Sequence, residues 1–205
     1  MYFKQIFNKD YLMEYLSNIK LYFLISLVIF IISFILGYVL AEVFQSEGLE
    51  LLKQIVSQLP DGSISATYLF KNNMTVAVII MLGGFLFSIT SILTLLVNGF
   101  LIGFTFWILN DPLKFILLVA PHGIFELTAI ILSFAVSLMI THVICKLIRG
   151  IFYKDSSLKN EYYNSRGLIR NILLSIFVII LLLLVAAFIE AYLTVPLANF
   201  FIGPI

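Results

Sequence analysis

A histidine and a glutamate lie four residues apart in "APHGIFEL", residues 120–127, within a chain that is otherwise poor in charge. On an α-helix this spacing puts the side chains of His122 and Glu126 on one face. Imidazole and carboxyl groups can bind a divalent metal ion, move protons or line an ion pathway. A third titratable group, Glu190, lies in the apolar segment "AAFIEAYL". The elements around these residues must bring them together before any such chemistry can occur.

The composition indicates an integral membrane protein. Of the 205 residues, 62% are hydrophobic and 11% are charged, and the mean hydropathy is +1.12. So few charges cannot solvate the surface of a soluble protein of this size. A net charge of +1 gives no basis for nucleic-acid binding, and a single cysteine excludes an internal disulfide or a cysteine-based metal cluster. We therefore predict an all-α, polytopic transmembrane helical bundle.

The apolar segments predict about five crossings within one transmembrane domain, residues 21–205. Residues 73–109 carry no charge and would make a single helix of about 55 Å, so we predict two spans that turn near residues 90–92. Residues 113–121 are too short to cross and lead into a proline, which predicts a re-entrant half-helix. The predicted spans are residues 21–41, 73–90, 92–109, 123–145 and 171–193, the last of which ends before Pro196.

Two amphipathic surface helices are also predicted. Residues 1–20 form the first, a cytoplasmic N-terminal segment with Phe3, Ile6, Phe7 and Tyr11 at helical spacing. The second begins at Ser46 and ends at the "PDG" turn. Its apolar face, which we expect to pack locally, consists of Leu52, Ile55, Val56 and Leu59.

The distribution of Lys and Arg predicts the orientation in the cell membrane. Three of these residues lie in the N-terminal segment and six in residues 146–170, which leaves three of the total of 12 for the other side. The positive-inside rule then puts the N-terminus in the cytoplasm. Three spans between residues 71 and 146 satisfy the rule, and the fifth crossing leaves the C-terminus extracytoplasmic.

This topology predicts a cluster of polar residues near the outer side of the membrane. The members at span ends are Asn72, Asn73, His122, Glu126 and Glu190, with Glu42 at the end of the first span. Nearer the inner side, Asn98 is the only strongly polar residue that we expect at depth. Ionisable groups at membrane depth persist only when they are paired, hydrated or protonated.

Four interpretations of the cluster remain open. In the favoured one, Glu126 and Glu190 have a structural role and hydrogen-bond between helices, which holds the helices together. In the second, the cluster lines a translocation route. A metal site of His122, Glu126 and Glu190 is the third, although the spacing is not that of a two-histidine zinc motif, and we expect no cofactor. Intramembrane hydrolysis is the weakest, because Ser88 and Ser91 lie away from the cluster by this topology.

Four motifs together resemble the stage II sporulation protein M family, over about residues 65–196. They are "FKNNMTVA" at 70–77, "NGFLIG" at 98–103, "APHGIFEL" at 120–127 and "AAFIEAYLTVP" at 186–196. The "NGFLIG" motif also has the GxxxG spacing of Gly99 and Gly103, which lets helix backbones approach closely. The resemblance adds Pro121 and Gly123 to the residues with an expected role in helix packing. Residues 1–64 resemble nothing in the family pattern.

The resemblance implies a scaffold, because the sporulation members of this family assemble with peptidoglycan-degrading partners and help to localise them. Two classes of function follow. In the first, the chain is a non-enzymatic, membrane-organising component of a partner complex. In the second, it is a small transporter or channel whose cavity is lined by His122, Glu126 and Glu190. The expected partners are the lipid bilayer, other membrane or envelope proteins and a second copy of the chain, and no nucleic acid.

The predicted orientation can be tested by cysteine labelling of intact cells. In a chain whose native Cys145 is replaced, a membrane-impermeant thiol reagent should label a cysteine at Ser63 and spare one at Ser157. Equal labelling of the two positions, or the reverse pattern, contradicts the predicted orientation.

Overall fold

The structure, a computed structural model, describes residues 9–50, 65–152 and 157–203. Of these residues, 93% are helical and none forms a strand. Five helices are long and apolar enough to cross a membrane. The predicted all-α transmembrane bundle with about five crossings is therefore confirmed.

Two of the connections between the five long helices are only two residues long. At residues 87–88 and 110–111 these connections make neighbouring helices antiparallel. The bounds are α1 Lys9–Val39, α2 Ala66–Leu82 with a 3₁₀ turn Gly83–Leu86, α3 Ile89–Leu109, α4 Pro112–Phe152 and α5 Leu158–Ile189. A π-helical turn, Glu190–Thr194, links α5 to a terminal helix, α6 Val195–Ile202.

Close backbone contact joins α1 to α3. A Cβ added to Gly103 would collide with the carbonyl oxygen of Phe34, and one added to Gly37 would collide with that of Phe100. At Gly99, an added Cβ would lie 3.0 Å from the carbonyl oxygen of residue 30. The GxxxG pair therefore faces α1. Lipid tails are as apolar as the side chains, so the hydrophobic effect does not drive these helices together, and the small residues allow close van der Waals packing instead.

A buried network of hydroxyl groups fastens the α2–α3 connection to α4. The Ser88 hydroxyl lies 2.9 Å from the Ser137 hydroxyl and 2.8 Å from that of Thr141. Ser91 lies 2.7 Å from Ser137, and Thr141 donates to the carbonyl oxygen of Gly84 at 2.9 Å. We call these four side chains the hydroxyl network. It satisfies polar groups that would otherwise be costly at this depth.

The turn between the second and third crossings lies earlier than predicted. The chain reverses at Phe87 and Ser88, which adopt φ angles of 53° and 60°, and not at residues 90–92. The prediction was wrong because it used apolar length alone, whereas the hydroxyl network sets the position. Gly83 and Gly84 begin the 3₁₀ turn that precedes the reversal, and a Cβ on Gly84 would lie 2.6 Å from the Ser137 carbonyl oxygen.

The predicted re-entrant half-helix at residues 113–121 does not form a separate element. Helix α4 continues through Pro121 over 41 residues. A proline inside a helix removes one backbone hydrogen bond, and membrane helices tolerate this because neighbouring groups compensate for the loss. The last crossing also continues beyond its predicted end, because Pro196 lies in the first turn of α6, where its missing N–H is not needed.

Helix α1 also extends further than the predicted span. It runs without a break from Lys9 to Val39, so residues 9–20 belong to the same helix as the crossing. The Tyr15 hydroxyl lies 2.8 Å from that of Ser175, which fixes this part of α1 against α5. Residues 1–8 and the predicted apolar face of residues 52–59 lie outside the described residues.

Helices α4 and α5 are too long for a bilayer. The 21 residues of α3 rise about 31 Å, which matches the hydrocarbon thickness, whereas the 41 residues of α4 rise about 61 Å. The excess carries charge where α4 and α5 meet, and Arg149 pairs with Glu161 there at 3.8 Å. We call residues 143–152 and 157–174 the basic hairpin, and infer that it stands outside the hydrocarbon.

The α1–α3 contact makes Gly103→Ala a sharp test of the fold. We expect a loss of about 1–3 kcal/mol in unfolding free energy, because the new methyl group must push α1 and α3 apart. The matched control is Gly167→Ala, since a Cβ there meets nothing within 4 Å. That control should be neutral or stabilising by up to about 1 kcal/mol. Denaturation in mixed micelles measures both, and equal effects would contradict the close contact.

Candidate functional site

The structure brings three of the four titratable residues of the predicted cluster together. His122, Glu126 and Glu190 each offer a nitrogen or oxygen atom, and these three atoms lie within 4.8 Å of one another. All three side chains are partly buried. We call them the outer triad, after the side of the membrane on which the positive-inside rule predicts them. The triad joins α4 to the π-helical turn that follows α5.

Two pairs of residues with helical i, i+4 spacing face each other across this contact. His122 and Glu126 come from α4, and Glu190 and Thr194 come from the π-helical turn. Thr194 is only 5% exposed, and its hydroxyl lies 3.3 Å from Nδ1 of His122. Because the same hydroxyl donates to the carbonyl oxygen of Ile189, it must accept a hydrogen bond from Nδ1–H.

Helix α2 adds an asparagine to the site. Asn73 is 8% exposed, and its side chain hydrogen-bonds to the Glu126 carboxyl group. The exposed Asn72 donates its amide to Oδ1 of Asn73 at 3.5 Å. The amide nitrogen of Asn73 is therefore the atom available to Glu126. Asn73 belongs to the site, whereas Asn72 lies at its exposed rim.

The two carboxyl groups of the triad have no ion-pairing partner among residues 9–50, 65–152 and 157–203. The ion pairs of that part of the chain, Arg149–Glu161 and Arg170–Glu14, lie at the basic hairpin. Two like charges 4.8 Å apart repel by about 3–4 kcal/mol at an effective dielectric constant of 20. The site therefore requires a proton or a cation when both carboxyl groups are present.

Other residues from the predicted site lie apart from the triad. Pro121 precedes His122 within α4. Gly123 is buried, but a Cβ there would meet only Val119 of the same helix, at 3.3 Å, so no second helix approaches it closely. Glu42 is exposed, and Asn98 donates its amide to the backbone of its own helix.

Two polar features, one at the triad and one near the other end of the buried part of α4, were not predicted from the sequence. Thr194 was not selected, although it follows Glu190 at the same i, i+4 spacing as Glu126 follows His122. The hydroxyl network was also missed, because Asn98 was expected to be the only strongly polar residue near the inner side. Single serines and threonines are common in membrane helices, and only the three-dimensional contacts distinguish a network from scattered residues.

The contact between His122 and Thr194 should appear as energetic coupling. In a double-mutant cycle of His122→Ala and Thr194→Val, we expect a coupling of about 0.5–1.5 kcal/mol in unfolding free energy, the value typical of a buried hydrogen bond. A second cycle, of His122→Ala with Thr94→Val, is the control because the exposed Thr94 bonds only to the backbone of α3. Additive effects in the first cycle would contradict the contact.

Comparison with known proteins identifies the family. Residues 26–195 match the family model described as Stage II sporulation protein M. The match therefore begins within α1, and the prediction that the resemblance starts at about residue 65 was wrong, because the four motifs all lie beyond that point. The chain is 28% identical over 152 residues to an uncharacterised protein of Methanocaldococcus jannaschii, a match that covers 72% of this chain and 81% of that protein. No solved structure matches the chain. Because the family model covers most of the sequence and the membrane helices that carry the motifs, the chain belongs to the stage II sporulation protein M family.

Proposed function

We propose that the protein is a non-enzymatic membrane scaffold that holds a partner protein on its basic hairpin. The observation that carries this proposal is an exposed aromatic surface on an element outside the hydrocarbon. Phe152 is 77% exposed and Tyr163 is 65% exposed. Exposed apolar residues that face lipid need no explanation, but a cluster of them in water usually marks an interaction site.

The surface has the composition of a protein interface. Its members, which we call the hairpin patch, are Ile151, Phe152, Leu158, Tyr162 and Tyr163. The guanidinium group of Arg166 lies over the rings of Tyr162 and Tyr163, at 5.6 and 4.9 Å from their centroids. Aromatic residues and arginine are the types most enriched at interfaces and in their energetic hot spots.

The basic hairpin is braced, so a partner would meet a preformed surface. Arg170 pairs with Glu14 of α1 at 2.8 Å, and its guanidinium group lies 4.7 Å from the ring centroid of Tyr11. The bond between Tyr15 and Ser175 adds a buried contact nearby. A surface that is already ordered loses little conformational entropy on binding.

Charge indicates the chemistry of the partner. Among the described residues of the basic hairpin, five are basic and one, Glu161, is acidic. The basic residues are Lys146, Arg149, Lys159, Arg166 and Arg170. A partner with an apolar centre and an acidic rim would be complementary. If the positive-inside prediction holds, this partner lies on the cytoplasmic side. Family membership supports the same general role, because the resemblance to the sporulation members implies assembly with other proteins.

Transport of a cation is the second candidate. It is favoured by one observation, the pair of partly buried carboxyl groups of the outer triad on segments long and apolar enough to cross a membrane. Ionisable residues within spans often mark ion pathways. Cation flux into proteoliposomes that stops with Glu126→Gln would support transport and count against a purely scaffolding role.

The scaffold proposal predicts a complex that depends on the hairpin patch. After mild solubilisation of native membranes, the wild-type chain should migrate on a native gel together with a second protein at constant stoichiometry. A triple variant, Tyr162→Ser, Tyr163→Ser and Arg166→Ser, should lose that protein while its own helical content is kept. The loss follows because the aromatic and guanidinium contacts are removed.

The control is Tyr192→Ser, which removes an exposed tyrosine at the opposite end of the bundle. It should retain the partner. A wild-type chain that leaves the membrane alone or only with copies of itself contradicts the proposal, as does a complex that survives the triple variant.

A further inference from the structure

We propose that the outer triad is a binding site for one divalent cation of the zinc type. The ligands are Nε2 of His122 and one carboxyl oxygen each from Glu126 and Glu190. This inference is independent of the scaffold proposal, because it concerns the opposite part of α4 and α5. It rests on the hydrogen-bond direction at His122, the distances within the triad and the charge balance of the site.

The hydrogen bonds around His122 leave its Nε2 atom free to act as a ligand. Thr194 uses its only hydroxyl proton on the carbonyl oxygen of Ile189, so it accepts from Nδ1–H of His122. A neutral imidazole protonated at Nδ1 carries a lone pair on Nε2. Histidine ligands to metals characteristically donate their other N–H to an outer partner in this way, which fixes both tautomer and ring orientation.

The distances within the triad fit a single small ion. Ligand atoms bound tetrahedrally at about 2.1 Å from zinc lie about 3.4 Å apart. One ring nitrogen of His122 and one carboxyl oxygen each of Glu126 and Glu190 lie within 4.8 Å of one another, so small rotations and movements of the side-chain tips close the site around an ion. No rearrangement of the helices is required. A fourth position remains for water.

One divalent cation balances the charge of the triad when both carboxyl groups are ionised. A single proton would leave a negative charge in a partly buried site without an ion-pairing partner among the described residues, and neutrality would then take a second proton. Two carboxylates, a neutral imidazole and one divalent ion sum to zero. Neutrality matters here because an uncompensated charge at membrane depth is costly.

The outer partners of the triad also suit a metal site. Asn73 hydrogen-bonds to Glu126 and Thr194 to His122, so two of the three ligands are oriented by buried side chains. Such outer contacts raise metal affinity by holding ligands in place. Imidazole nitrogen and carboxylate oxygen are ligand types that zinc takes, whereas calcium requires six to eight oxygen ligands and magnesium an octahedral oxygen shell.

The π-helical turn Glu190–Thr194 is a further feature that this assignment explains. Single π-helical turns interrupt α-helices mainly at functional sites. Here the turn carries both a ligand, Glu190, and the outer partner of a second ligand, Thr194. An ion bound at the triad would therefore link α4 to the one irregular segment of the α5–α6 helix.

The experiment is zinc binding by the full chain, purified in detergent without a polyhistidine tag and stripped with a chelator. After incubation with zinc chloride and desalting, elemental analysis should find about one zinc per chain. Competition with a fluorescent chelator should give an affinity that falls more than about 100-fold in Glu126→Gln and in Glu190→Gln, because each loses a charged ligand. Thr194→Val should weaken binding by about 10–100-fold, the range for loss of an outer partner.

The matched control is Glu42→Gln, which removes an exposed carboxyl group outside the triad and should bind zinc like the wild type. Cobalt gives a second readout that needs no variant, since a four-coordinate site should produce visible absorption in the wild-type protein. The proposal is overturned if the stripped wild type binds zinc no more tightly than the Glu126→Gln, Glu190→Gln double variant. It is also overturned if cobalt gives no such absorption.

Discussion

The hydrocarbon of a bilayer offers no water to polar groups, so polar side chains within it must find their hydrogen-bond partners in the protein, on their own helix or on another. Helix α4 concentrates these contacts. It touches every other helix in the described part of the chain, and its buried stretch runs through the middle of the bundle. His122 and Glu126 face the π-helical turn near one end of this stretch, and Ser137 and Thr141 join the hydroxyl network near the other. Displacement of α4 would leave both sets unsatisfied, so its position determines where α2 and α5 pack.

The contact between α1 and α3 follows a different principle. It depends on small residues, with Gly37, Gly99 and Gly103 against the backbone of the facing helix. Shape complementarity of this kind carries no charge and no titratable group. The close packing of α1 on α3 therefore depends mainly on glycines and backbone. The titratable groups of the outer triad come instead from α4 and the π-helical turn after α5.

The number of crossings and the grouping of the titratable residues could be predicted, because both depend on local sequence pattern. Apolar length gave five crossings, and helical spacing with topology brought His122, Glu126 and Glu190 to one level. Boundaries were less accurate, because they depend on contacts between distant segments. The turn at Phe87 and Ser88 follows from hydroxyl bonds to α4. The continuity of α4 could not be predicted either, because a proline indicates a break only when the surrounding helices do not compensate for its missing hydrogen bond.

The outer triad and the basic hairpin occupy opposite parts of the same two helices. From Glu126 to Phe152, α4 rises about 39 Å without interruption. Energetic coupling between distant sites requires an element that can adopt two conformations. A continuous α-helix is a rigid connection and does not supply a second conformation by itself. Among the described segments of α4 and α5, the only irregular backbone is the π-helical turn, which lies at the triad. A cation bound at the triad would join α4 to this turn, whereas the basic hairpin is held by contacts of its own, between Arg170 and Glu14 and between Tyr15 and Ser175.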